Sequence, residues 1–134
     1  MTMPQVAIHD LAQARAALAA AGDAGVPIEL RSAPDAAAYA GVGYLKALAE
    51  AVGQEILIDC GEDAGVVMAA LRTGCRRLAF TGPPEVAHRL ADMAREVGAT
   101  LVLENDPPDA LQLAPEDDAG AQCRAWLEPR RGFR

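Results

Sequence analysis

The sequence predicts an α/β fold: an open, mostly parallel sheet of about five strands flanked by helices, with a C-terminal helical segment. Three observations carry that prediction. Five short runs rich in Val, Ile and Leu, each bounded by Gly, Pro or Asp, punctuate the first 105 residues. Alanine-rich segments with helical spacing fill the intervals, and the 30 alanines of the chain favour helix while leaving the β-branched residues concentrated in the runs. The connections are short, so strands and helices alternate as βαβ units with right-handed crossovers.

In chain order, the strands are read at 5–9 (QVAIH), 26–31 (VPIELR), 55–60 (EILIDC), 78–81 (LAFT) and 100–103 (TLVL). They read as buried on both faces, without strict alternation. The first helix rests on Leu11, Ala14, Leu18 and Ala21. The segment from Asp35 to Val52 is apolar on more than one side, through Val42, Leu45 and Ala49 and also Tyr44 and Leu48, which predicts deep burial. A short helix spans Asp63 to Arg72 and ends at Gly74 as a left-handed cap. Val86, Leu90, Met93 and Val97 recur as a single stripe on the fourth helix. After Asn105, Pro107-Pro108 interrupts the pattern, and a helix from about 116 to 128 carries acids at its start and Arg130, Arg131 and Arg134 at or past its end, as the helix dipole favours. The expected organisation is an α/β domain over 1–106 and a helical extension over 107–134 docked on it, through Cys123, Trp126 and Leu127, with a homodimer contact as the alternative.

Composition narrows the function classes. A chain of 134 residues that is 51% hydrophobic and 23% charged folds without a disulfide or metal staple. Its net charge of −7 and pI near 4.7 fit a nucleic-acid backbone poorly. No apolar run is long enough to span a bilayer, and the N-terminus lacks the order of a signal peptide, so a cytoplasmic protein without membrane contact is expected. Cys60, Cys75 and Cys123 form an odd set without metal spacing and read as reduced thiols. With only two histidines, His88 pointing to solvent, no zinc site is expected. No Walker sequence or GxGxxG is present, Glu62 and Asp63 disfavour an anion at their helix start, and no cofactor is expected.

Ligands of open parallel sheets bind outside the carboxyl ends of the strands. The polar residues there are His9 and Asp10, Arg31 and Ser32, Asp59, Cys60, Glu62 and Asp63, Thr81, and the run Glu104-Asn105-Asp106. Asp10, Ser32 or Asp35, Asp63 and Glu85 also stand where helix caps and first-turn acids belong. The candidate ligand-binding set is therefore His9, Arg31, Asp59, Cys60 and Thr81, with no catalytic residue assigned. Cys60 precedes a helix start, where a dipole can activate a thiol, but Asp59, Glu62 and Asp63 oppose a thiolate. Lys46, in mid-helix, is poorly placed for a Schiff base.

Asp35-Ala36-Ala37-Ala38 opening a helix, the strand Ile56-Leu57-Ile58-Asp59, Asp63-Ala64-Gly65-Val66-Val67 and the run from Arg77 to Val86 together resemble the central part of STAS domains, the anti-sigma-factor-antagonist type of signalling module. The resemblance implies a bacterial signalling role through protein binding. Ala64 stands where that family carries a phosphorylatable Ser or Thr. Asp10, Asp59 and Thr81 at strand ends are also similar to a receiver-type phospho-acceptor site, but Glu104-Asn105-Asp106 replaces the lysine expected after the fifth strand. The reading favoured is a non-catalytic regulatory or protein-binding module. The alternative is a small-molecule-binding protein or small enzyme with its pocket at the carboxyl ends of the strands.

Overall fold

The computed structural model describes residues 3–105, 108–116 and 118–130. Asp106, Pro107, Arg131 and Arg134, each used in the sequence reading, lie outside them. The architecture is α/β, an open, wholly parallel sheet of six strands with its helices packed on it. The strands are β1 (Gln5–Ile8), β2 (Glu29–Ser32), β3 (Ile56–Asp59), β4 (Arg77–Phe80), β5 (Thr100–Leu103) and β6 (Ala110–Gln112). The helices are α1 (Leu11–Ala24), α2 (Ala36–Tyr39), α3 (Val42–Val52), α4 (Ala64–Thr73), α5 (Pro84–Glu96) and α6 (Ala119–Leu127), the last followed by a 3-10 turn at Glu128–Arg130. None of the helices among the described residues is long and apolar enough to cross a membrane.

The strand order is β5-β4-β3-β2-β1-β6. From β1 to β5 every crossover steps one strand in the same direction, and right-handed crossovers of that kind leave their helices on one face. The core shows this. Val6, Ile8, Leu30, Ile56, Ile58, Leu78 and Phe80 form one buried cluster with Ala14 and Ala17 of α1, Leu45 of α3, Val67 of α4, Leu90 of α5 and Leu127 of α6. Helices α6, α1, α3, α4 and α5 pack side by side in the order of the strands beneath them. Alanine allows this close approach, since Ala14, Ala17 and Ala70 are fully buried.

Local chemistry explains the boundaries. Asp10 accepts from the Gln13 N–H and starts α1, Asp63 accepts from Gly65 and Val66 at α4, and Asp118 accepts from Ala121 at α6. Gly74 ends α4 in the left-handed conformation, and the Lys46 ammonium donates to its carbonyl at 3.0 Å. Three expectations need correction. The segment 35–52 is two helices, broken where Gly41 takes φ +89°, and it is not buried on several sides: Tyr39 is 91% exposed and only Ala37, Leu45 and Leu48 are buried. Asp35 makes no side-chain capping bond, and Ser32 belongs to β2. The tail also supplies β6, which pairs in parallel with β1 before α6 packs against α1.

The second face of the sheet carries the alternate residues. In register they run Gln5↔Glu29, Ala7↔Arg31↔Leu57 and Asp59↔Ala79↔Val102. Arg31 of β2 reaches Glu104, the residue after β5 three strands away, and Arg77 of β4 reaches Glu29 of β2 two strands away, so the sheet curls around its second face, which is concave.

Candidate functional site

The concave face is built around Arg31, which is 1% exposed. Its position in β2 is fixed by register, between Ala7 of β1 and Leu57 of β3. A guanidinium buried there needs acceptors on several sides. Glu104, the first residue after β5, supplies a bidentate pair: Arg31 Nη1 donates to Oε2 at 2.9 Å and Nη2 to Oε1 at 3.0 Å. Nη2 also donates to Asp59 Oδ2 at 3.2 Å, and Nη1 to Gln5 Oε1 at 3.0 Å. Burial opposes the charge of Arg31, but hydrogen bonding and attraction to Glu104, then to Asp59, outweigh it and push its pKa upward. Arg31 is a permanent cation, and its clasp ties the link after β5 to the middle of the sheet.

A second pair lies toward the amino ends of the strands. Gln5 Nε2 donates to Glu29 Oε1 at 2.9 Å, and Arg77 Nε donates to Glu29 Oε2 at 2.6 Å. Gln5 therefore joins the two clusters, accepting from Arg31 and donating to Glu29. No buried side-chain nitrogen or oxygen among the described residues lacks a hydrogen-bond partner. Arg77 is 38% exposed, and its two terminal nitrogens carry no partner among the described residues.

A cavity of about 740 Å³ opens on this face. Leu57 and Val102 contribute apolar wall, Glu104 and Arg77 line it from their ion pairs, and Trp126 and Arg130 enter from the end of α6. The Arg130 guanidinium stacks 3.8 Å from the centre of the Trp126 ring and donates to the Trp126 carbonyl. It lies 3.7 Å from Asp109. The size falls within the range of small-molecule sites, and such sites are apolar with a few placed polar groups.

Of the five residues expected to bind a ligand, Arg31 and Asp59 meet on the concave face. Cys60 does not join them. It continues the parity of Ile58, so its thiol enters the helix-side core, 5% exposed. Burial, with the Asp59 charge next, pushes this thiol up to about 12. His9 is exposed, its Nδ1 3.2 Å from Gln13 Oε1, and Thr81 is exposed with its N–H donating to the Gly61 carbonyl. Neither is a partner of Arg31. At the carboxyl rim a separate cavity of about 710 Å³ is lined by Asp35, Asp59, Cys60, Glu62 and Asp63, of which Asp59 and Asp63 already accept from backbone N–H groups. No group of His, Cys, Asp and Glu among the described residues is arranged to hold a metal ion.

Gln5, Glu29, Arg77 and Glu104 complete the site without having been singled out as ligands. The signal was alternation: large apolar residues recur at every second position with polar or small ones between them, as in Glu29-Leu30-Arg31 and Arg77-Leu78-Ala79-Phe80, the mark of strands with one polar face. Comparison of the chain with protein-family models and with curated proteins gives no match.

Proposed function

We propose that the protein is a non-catalytic binding module that takes a small molecule on the concave face of its sheet. The observation that carries this reading is the pairing, in one cavity, of apolar wall from Leu57 and Val102 with the unengaged terminal nitrogens of Arg77. The site lies across the face of the sheet, away from the carboxyl rim where a parallel sheet ordinarily binds. The rim polar groups support the same assignment, because Asp10 and Asp63 are helix caps and the Cys60 thiol stays protonated at neutral pH. A reactive nucleophile would need the opposite shift. Ala64, at the start of α4, offers no hydroxyl, so regulation of the kind the STAS resemblance suggests would run through binding and not through phosphate on that loop.

The test is a fragment screen read by amide chemical shifts of the whole chain. Shifts clustered at Leu57, Val102 and Glu104, with a rise in melting temperature that scales with ligand concentration, are expected. Fragments that bind only on the helix surfaces or at the acidic rim would overturn the assignment. A protein-binding reading has one observation of its own: Tyr39, 91% exposed, ends α2, and Tyr44, 42% exposed, lies in the first turn of α3. Exposed tyrosines are common anchors in protein interfaces. Tyr39→Ser with Tyr44→Ser should leave fragment binding unchanged, and loss of a protein partner in that variant would favour this second surface.

A further inference from the structure

We infer that the ligand of the concave face is a monocarboxylate with an apolar, aromatic-sized body, held through Arg77. The inference rests on the binding reading above and goes further by naming the chemical class. The charged groups of the cavity differ in how much hydrogen-bonding capacity they have left. Glu104 has both oxygens on Arg31, and Glu29 has one on Gln5 and one on Arg77. Arg130 donates from Nη1 to the Trp126 carbonyl, holds Nη2 3.7 Å from Asp109 and stacks on the Trp126 ring. Arg77 alone among these has two terminal nitrogens with neither a hydrogen bond nor an ion pair among the described residues, while its Nε is fixed on Glu29. Such a pair matches the two oxygens of a carboxylate end-on, and the Glu29 contact holds the guanidinium plane in place before the ligand arrives.

The surrounding charge limits the ligand to a single negative charge. Glu29, Glu104 and Asp109 line the same cavity, and the chain carries a net charge of −7. A phosphate dianion would meet that field with one free guanidinium, whereas a carboxylate needs only the one. The body of the ligand lies along Leu57 and Val102 toward the half-buried Trp126. A cavity of about 740 Å³ accepts a ring and a short chain with room to spare. A neighbouring cavity at the amino ends of the strands shares Met3, Glu29 and Arg77, so the guanidinium is open to solvent from that side for ligand entry.

The experiment titrates the full chain with 3-phenylpropionate, its amide, 3-phenylpropylamine and phenyl phosphate, following amide shifts and the fluorescence of the single tryptophan, Trp126. The carboxylate should bind at the concave face at least tenfold more tightly than the other three. Arg77→Leu should weaken it by at least tenfold, Arg77→Lys by less, and Arg76→Leu, one residue earlier on the exposed surface, should change nothing. Equal or tighter binding of the amide, the amine or the phosphate at the same face would overturn the carboxylate assignment while leaving the face as a binding site. Carboxylate binding that is unaffected in a folded Arg77→Leu variant would remove Arg77 from the site. No binding of any probe at this face would overturn the inference, and the fragment screen would then decide the broader reading separately.

Discussion

Val6, Ile8, Leu30, Ile58, Leu78 and Phe80 face the helices from the sheet, and between them along the same strands Gln5, Glu29, Arg31, Asp59 and Arg77 face the other way. The first set is dry, apolar and packed under five helices. The second is a chain of ion pairs and hydrogen bonds joined through Gln5, closed by Glu104 after β5 and hollowed by a cavity. Burying a hydrocarbon stabilises in proportion to area, whereas burying an ion pair costs desolvation that its own attraction only roughly offsets. One face thus accounts for the stability of the fold. The other holds costly groups in fixed positions, which is what a recognition site requires.

Substitutions should separate the two faces by mechanism. The largest effect is expected on the apolar side: Phe80→Ala removes a ring that is 1% exposed and should cost about 3–5 kcal/mol, seen as a lower denaturant midpoint at unchanged slope. On the charged side, Arg31→Met leaves Asp59 and Glu104 facing each other without their cation. Because those carboxylates are 18% and 14% exposed, the loss should fall near the lower end of the range for a broken buried pair, about 3 kcal/mol. A negligible loss would mean that water already screens the clasp.

The three thiols offer a pH test confined to the helix side. Cys60, Cys75 and Cys123 all belong to that core, and burial raises each pKa, to about 12 for Cys60 and about 11 for Cys123. Their folded values exceed the unfolded value of about 8.5, so the stability they contribute is complete below that pH and declines as pH rises toward the folded values. Each thiol should subtract about 1.4 kcal/mol per pH unit within its window. Cys60→Ala should flatten the decline above pH 9. An unchanged alkaline slope in that variant would place the thiol in contact with water. The smallest of these effects is expected at the rim: Asp10→Ala should cost about 1 kcal/mol through the lost cap and leave ligand binding intact.

The two faces also differed in how far they could be read from the chain. The apolar runs located five strands to within about three residues, because core positions such as Ile56 and Ile58 leave no other use for the segment. Arg31 and Asp59 were found by standing near strand ends, yet their partnership depends on register, which no local spacing encodes. Glu104 was visible as a residue after β5, but its contact with β2 follows from the curl of the sheet. Cys60 could have been excluded by parity alone, being two residues past Ile58. The strand β6 escaped as well: Ala110-Leu111-Gln112 is three residues long between Pro108 and Pro115, and so short a segment is a strand only because β1 offers it an open edge.

The unfolding free energy of the triple variant Arg31→Met, Asp59→Asn, Glu104→Leu tests most directly whether the charged face is there for recognition and not for stability. Asn at 59 keeps an acceptor for the Gly61 N–H while the three charges disappear together. A protein at least as stable as the original is expected, recovering the loss caused by Arg31→Met alone, because a buried ion cluster replaced by matched uncharged groups is neutral or stabilising. A triple variant less stable than the original by about 3 kcal/mol or more would show that the clasp holds the fold together, and would contradict the division between the two faces.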